Sequence, residues 1–384
     1  MSFLKFLPTV CVVGDEYEIL VVTENNGIIG INVWGKQYYE ENSGVLASEK
    51  NYAKIRVPQS AIDCAKHYCI TFRKTIDRKG YFSEFGETEI EKICFKPLLK
   101  NCDIKIYHVA DVHYNYEIAL KTSSFFGDDT DVYIFNGDLG EVETVENYFE
   151  TLKFMGDLTA GKIPVLFARG NHDTRGKLAE RFTDFYPSNY KNTYYKFSLG
   201  CLEGVILDCG EDKKDDHVDY NYPNPQVYNG VNVFYDFRRK ELDWLQKTDL
   251  SKDKIKFAVS HICPVMTTLK KGDCFDIERE CYTLWNNELE RMGIDFMLCG
   301  HLHDSFILEE SDCKNILSHS YPVIISPKIC GAKYDGAKLL PNLFCGAGII
   351  INPKEIKVVL NDQNHKVIKE RVLQIKGRLC LYDA

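Results

Sequence analysis

Long apolar runs are missing from this sequence. No stretch of its 384 residues approaches the roughly 18 uncharged apolar residues of a membrane-spanning helix. Clusters of lysine and arginine are missing too, and the net charge is −9. A generic nucleic-acid binder needs such clusters to displace phosphate counterions; a local basic cleft remains compatible with the balance. No C-x-x-C pair occurs among the 15 cysteines, which argues against a zinc ribbon or a thioredoxin-like motif. The cysteines are odd in number and scattered singly, several inside apolar runs, as at Cys11, Cys94 and Cys299. Reduced cysteines packed as small hydrophobes, in a cytoplasmic protein, are the expectation. There is no internal repeat and no low-complexity segment. Met1 to Gly14 carries one lysine and a short apolar run, then turns polar at Asp15-Glu16 without a small-residue cleavage pattern. It reads as a first strand rather than a signal peptide.

What is present is an ordinary globular composition, 45% hydrophobic and 27% charged. Domains commonly run to roughly 100–200 residues, so two are expected. Residues 1–100 read as a small all-β sandwich. The runs 17–23 and 28–33 flank Asn26-Gly27, a pair that tolerates positive φ and predicts a hairpin. Further strands are expected at 53–57, 68–74 and 91–95. From 101 to 384 the pattern becomes α/β. Apolar strands at 104–110, 132–135, 164–168, 204–207, 257–260 and 296–299 alternate with helices expected over 143–156, 177–185, 239–245 and 277–292. The helical spacing of Val145, Tyr148, Phe149, Leu152 and Met155 gives the first of these one buried face. Strands return at 344–351, 355–360 and 367–375. Residues 208–232 form a polar stretch with Asp208, Asp212, Asp215, Asp216 and Asp219. A structureless segment of that length is either functional or a solvated surface loop.

Five of the apolar strands run into chemistry-bearing residues. Strand 104–110 ends in Asp111-Val112-His113, strand 132–135 in Asn136-Gly137-Asp138, and strand 164–168 in Arg169-Gly170-Asn171-His172-Asp173. Strand 257–260 ends in His261, and strand 296–299 in Gly300-His301-Leu302-His303. In open α/β sheets the ligand site lies beyond the carboxyl ends of the strands, so these groups converge on one rim. Imidazole, carboxylate and amide oxygen suit Mn, Fe or Zn. A carboxylate such as Asp138 can lie between two cations and lower their repulsion. Any single element of the five means little. Their joint order, each after an apolar run, predicts a metal site. His108, inside the first of these strands, reads as a core residue or one behind the site. His67, His217, His319 and His365 have no supporting pattern.

This order of D-x-H, G-D, G-N-H-D, H and G-H-x-H resembles the calcineurin-like metallophosphoesterase superfamily over roughly residues 103–350. The resemblance implies a four-layer α/β/β/α sandwich. It also implies that Asp111, His113 and His303 hold one metal, that Asn171, His261 and His301 hold a second, and that Asp138 bridges them. Two such ions activate a shared water for in-line attack on phosphorus. His172, not a ligand in this family, would stabilise the transition state or protonate the leaving oxygen. The position three after Asp138 is Tyr in purple acid phosphatases and Asp in serine/threonine protein phosphatases. Here it is Glu141, so the coloured Tyr–iron pairing is not expected. Glu141 reads either as a carboxylate orienting His172 or as a helix N-terminal acid. Arg169 and Arg175 flank Asn171-His172-Asp173; each reads as a substrate clamp or a surface ion pair, with Arg175 the better clamp candidate. The amino-terminal β region is similar in outline to that of purple acid phosphatases, which is weak evidence on substrate. The expected substrate is a small phosphomonoester or phosphodiester. A nuclease, a protein phosphatase and a non-catalytic metal-binding scaffold are the alternatives.

Overall fold

The computed structural model describes residues 2–219, 226–228, 230–266, 278–326 and 345–375. The first hundred residues form strands β1 (Thr9–Val13), β2 (Glu16–Val22), β3 (Gly27–Val33), β4 (Lys36–Tyr38) and β5 (Tyr52–Pro58), helix α1 (Gln59–Ala65), and strands β6 (His67–Asp77) and β7 (Glu84–Cys94). Next come β8 (Ile104–Val109), α2 (Tyr116–Ser123), β9 (Val132–Asn136), α3 (Val145–Thr159), β10 (Pro164–Ala168), α4 (Phe182–Phe185), β11 (Tyr195–Leu199) and β12 (Leu202–Leu207). A small ladder of β13 (Val218–Asp219) and β14 (Gln226–Val227) precedes α5 (Phe234–Leu245), β15 (Ile255–Ser260), α6 (Arg279–Met292), β16 (Phe296–Cys299), β17 (Phe306–Leu308) and β18 (Val323–Ile325). Strands β19 (Cys345–Ile351), β20 (Glu355–Asp362) and β21 (Val367–Gln374) close the described chain.

Nine strands form one sheet in the order β21-β20-β19-β8-β9-β10-β1-β2-β5, and six form a second in the order β11-β12-β15-β16-β18-β17. The centres of both are parallel: β8, β9, β10 and β1 in the first, β12, β15, β16 and β18 in the second. Alternation along each strand sorts the side chains. Ile104, Ile106, Ile134 and Leu166 of the larger sheet meet Phe197, Ile206, Phe257 and Leu298 of the smaller one in the central core. The opposite face of the larger sheet, with Tyr107, Val109, Phe135 and Phe167, is covered by α2, α3 and α4 through Ala119, Tyr148, Leu152, Met155, Phe182 and Phe185. The outer face of the smaller sheet packs Val205, Ala258, Met297 and Val323 against Leu242 and Leu245 of α5 and Trp285 and Leu289 of α6. These are the four expected layers.

The amino-terminal hundred residues are strand-rich, as expected, and divide between two sheets. Strands β4-β3-β6-β7 form their own antiparallel sheet, whereas β1, β2 and β5 extend the nine-stranded one. Sheet hydrogen bonding therefore crosses residue 100, with β1 parallel to β10 at Val10–Pro164 and Cys11–Val165. The hairpin expected at Asn26-Gly27 does not form. Strand β2 pairs with β1 and β5, and β3 pairs with β4 and β6. Both runs bury apolar residues on each face, and the chain passes at this point from one sheet to the other. The helix expected over 177–185 shrinks to a 3-10 turn and α4, because Leu178 N–H is drawn to Val142 O. No helix among the described residues is long and apolar enough to cross a membrane, and every cysteine among them is free.

Candidate metal centre

The carboxyl ends of β8, β9, β10, β15 and β16 meet at one rim, as the strand-end motifs predict. What draws them together is backbone proximity. Asp111 N–H donates to Gly137 O at 3.2 Å, and His113 N–H donates to Asp138 O at 3.0 Å. Gly170 lies so near the next loop that a Cβ there would stand 2.5 Å from Asp138 N, and one on Gly137 would stand 2.5 Å from the Gly170 Cα. Only paired glycines allow Asp138 and Asn171 to approach in this way. Asp111, His113, Asp138, His301 and His303 all adopt left-handed φ, between 43° and 68°. Such a conformation costs a non-glycine residue about 1 kcal/mol or more. Strain of this kind concentrates where side-chain direction has a use.

The seven residues singled out from the sequence as ligands come together. Asp111, His113 and His303 bring one ligand atom each into a group, and Asp138, His261 and His301 do the same, with atoms within 4.8 Å of one another. His303 Nε2 is 3.3 Å from Asp111 Oδ1 and 3.2 Å from His113 Nε2. His261 Nε2 is 3.3 Å from Asp138 Oδ2 and 3.8 Å from Asp111 Oδ1. The Asn171 amide oxygen lies 3.0 Å from His301 Nδ1.

This donor set fits metal ions. Asp111 Oδ1 and His261 Nε2 are buried and have no hydrogen-bond partner. Leaving such atoms unsatisfied costs roughly 1–3 kcal/mol each. A cation among them removes that cost, and ligands with bonds of about 2.1 Å stand about 3 Å apart around one ion. The backing is that of a ligand shell. His261 Nδ1 lies 2.6 Å from Asn136 O, a contact that as N–H···O turns the Nε2 lone pair toward the carboxylates. His301 N–H donates to Asp111 Oδ2 at 2.9 Å. Burial opposes a charge on His261, but Asp138 and Asp111 outweigh it and push the imidazole up to about 10. Burial likewise opposes ionisation of Asp138, yet His261 beside it holds the carboxyl below the usual range. Those carboxylates thus draw positive charge into the pocket.

His108 is fully buried behind the rim, 3.0 Å from Asn136 Nδ2 and 2.5 Å from Ser326 Oγ. Burial depresses it to about 3, and the neutral ring holds the side-chain amide of Asn136, the residue whose backbone carbonyl faces His261. Asp173, the acid of G-N-H-D, is buried as well. It accepts N–H from Gly170 at 2.7 Å and from Asp138 at 3.1 Å, so it ties the two loops together.

The three residues expected to act on the substrate fare differently. His172 stands at the rim with 49% of its side chain exposed, its Nε2 3.9 Å from Asp138 Oδ2 and its N–H donating to Asp138 Oδ1. Glu141 is exposed, and no described residue hydrogen-bonds to it, His172 included. The atom that does reach His172 Nε2 is Arg175 Nη1, at 3.4 Å. Arg175 is not on an open surface. Its Nε donates to Glu211 at 2.6 Å and its Nη2 to Asp212 at 2.9 Å. Arg169 pairs with buried Asp208 at 2.7 Å beneath the rings of Phe182, Phe234 and Phe237, well placed to brace the loop. Sequence reasoning flagged Asp208 and Asp212 only as part of a polar stretch and passed over Glu211. Their neighbours Gly210 and Cys209 were the available signal of a tight, buried turn. Residues 220–225 and 229 of that stretch lie outside the described residues.

Residues 104–305 match the family model described as calcineurin-like phosphoesterase. A search of curated proteins finds no match. Among solved structures, the purple acid phosphatase PPD1 from yellow lupin (Lupinus luteus) seeds is similar with a TM-score of 0.60 at 11% identity, covering 96% of this chain and 74% of that one. The structure of PhoD is similar with a TM-score of 0.54 at 10% identity, covering 96% of this chain and 88% of that one. Identities this low speak for a shared fold, which takes in the amino-terminal strands as well. With a family match over just over half its length and a ligand constellation at its strand ends, this chain belongs to the calcineurin-like phosphoesterase family and is a metal-dependent phosphoester hydrolase.

Proposed function

We propose that Asp111, His113 and His303 hold one metal ion, that Asn171, His261 and His301 hold another, with Asp138 shared between them, and that the protein hydrolyses a small phosphomonoester or phosphodiester in the cytoplasm. The observation that carries this reading is the pair of ligand groups lying side by side, with Asp138 Oδ2 3.9 Å from His113 Nε2 and 3.3 Å from His261 Nε2, and with Asp111 Oδ1 and His261 Nε2 buried without a hydrogen-bond partner. Two ions of the Mn, Fe or Zn type would supply charge stabilisation for a phosphoryl group and an acidified water. The chain's own residues do the rest. Asp138 is held by the N–H of His172 and holds its own N–H against Asp173, so it stays fixed while charge shifts around it. His172 is exposed on the side where a substrate enters, with its Nε2 within 4 Å of Asp138, and it contacts the phosphoryl or leaving oxygen. Its half-exposed ring and that of His303 leave the rim open to solvent. The net charge of −9, without a basic run, favours small esters over polynucleotides.

The test strips the purified protein of metal, reloads it with Mn²⁺ and compares aryl phosphate monoesters with diesters. Turnover of either that depends on metal supports hydrolysis, and the preferred ester names the class. His172→Ala is expected to lower turnover by roughly 10²–10⁴-fold with the metal content retained. No turnover with either ester despite two bound metals would favour a highly selective enzyme or the scaffold reading.

A further inference from the structure

The tight turn 208–212 does more than border the site. Its acidic pair takes hold of the Arg175 guanidinium, which touches His172. Arg175 has five N–H donors in a fixed fork. Nε and Nη2 grip both carboxylate oxygens of Glu211, and Nη2 also reaches Asp212 Oδ1 at 2.9 Å. The remaining nitrogen, Nη1, faces His172 Nε2 at 3.4 Å. Bidentate pairing of this sort fixes a plane as well as a distance. Glu211 is buried and Asp212 nearly so, and Asp212 also pairs with Lys213 at 2.7 Å.

The turn itself is rigidly held. Buried Arg238 donates to Cys209 O and to Glu211 O, both at 2.7 Å. Asp208 N–H donates to buried Glu241 at 3.0 Å, and Gly210, in left-handed φ, lies against the Phe234 ring. The same turn touches the metal-ligand side, because Asp212 Oδ2 is 3.9 Å from His301 Nε2, the nitrogen opposite the one that faces Asn171. A phosphate clamp would need a guanidinium with free charge facing the opening. Here the charge of Arg175 is matched by two carboxylates, and its uncommitted edge points at an imidazole.

We propose that Glu211 and Asp212 hold Arg175 as a positioning residue for His172, so that Arg175 acts on the reaction through the histidine and not by binding substrate. This rests on the hydrolytic role given to His172 above. Losing the fork frees the half-exposed ring to leave its place beside Asp138, which slows the chemical step and leaves ground-state binding alone.

The experiment measures kcat and KM for the Mn²⁺-loaded full chain on an aryl phosphate, with metal content, for wild type, Arg175→Ala, Glu211→Gln, His172→Ala and the Arg175→Ala/His172→Ala pair. The expected result is a drop of about tenfold or more in kcat for Arg175→Ala, with KM within about twofold and two metals retained. Glu211→Gln moves kcat in the same direction by less. In the His172→Ala background, adding Arg175→Ala changes kcat by less than about twofold, because coupled residues are non-additive. A rise in KM with kcat unchanged, an equal loss from Arg175→Ala in both backgrounds, or wild-type kinetics for Arg175→Ala each overturns the proposal. If wild type itself shows no turnover, the hydrolytic reading fails first. If wild type works and His172→Ala does not, only the positioning claim is at stake.

Discussion

Replacing Gly170 by alanine adds one methyl group where the structure has no room for it. That Cβ would stand 2.5 Å from Asp138 N and closer still to the Asp138 carboxylate, whereas comfortable contact is about 3.5–4.0 Å. The two loops must part by about 1 Å. Gly170 has no positive φ, so the penalty is steric alone, about 1–3 kcal/mol of overpacking strain. The same displacement carries Asn171 away from Asp138 and loosens the contacts that Asp173 makes to both loops. A misplacement of about 1 Å costs roughly 10²-fold in rate. The assay pairs metal content per chain with turnover of an aryl phosphate, beside a melting curve. Gly86→Ala is the control, since a Cβ there would meet only Lys74, at 3.7 Å or more. Gly170→Ala should lose metal and turnover with a modest drop in melting temperature, and the control should lose nothing. Full metal loading with wild-type turnover in Gly170→Ala would refute the reasoning that backbone proximity at this glycine builds the site.

Two further predictions concern stability away from the metals. Ala160 follows α3 in left-handed φ of 52°, so Ala160→Gly should stabilise the fold by about 0.5–1 kcal/mol with turnover unchanged, as thermal melting would show. Glu241 is fully buried with one oxygen unpartnered, and burial, then Asp208, raises its carboxyl well above the usual range. An acid raised on folding is fully accommodated below its unfolded value, near 4.3, and costs increasing stability as pH climbs toward the folded value. Glu241→Gln keeps an acceptor for the Asp208 N–H, so it should raise the melting temperature at pH 8 more than at pH 5; an equal shift at both would contradict that charge state.

The strand-end motifs were legible because each follows an apolar run and sits at the carboxyl edge of a parallel strand, where topology alone brings distant residues to one rim. The two strands β10 and β16 match their expected bounds residue for residue. Pairing across long separations was not legible. Nothing local to Thr9–Val13 says that it lies parallel to β10, some 150 residues on, or that the chain changes sheets at Asn26-Gly27. Helices α1 and α2 were missed because each is short, and α2 buries Ala119, Thr122 and Ser123, two of which are polar, so no apolar period marks its inner face. The Arg175–Glu211 pair joins residues 36 apart on segments without a shared pattern. Glu141 shows the converse: a position chosen by resemblance makes no hydrogen bond to its supposed partner once the loop is folded.

The most direct measurement is the metal content of Mn²⁺-reconstituted wild type beside Asp138→Asn, read by elemental analysis together with turnover. The account predicts two ions per chain in wild type, and a joint loss of metal and activity in Asp138→Asn. Fewer than two ions in wild type, or a full complement in Asp138→Asn, would contradict a centre shared through Asp138.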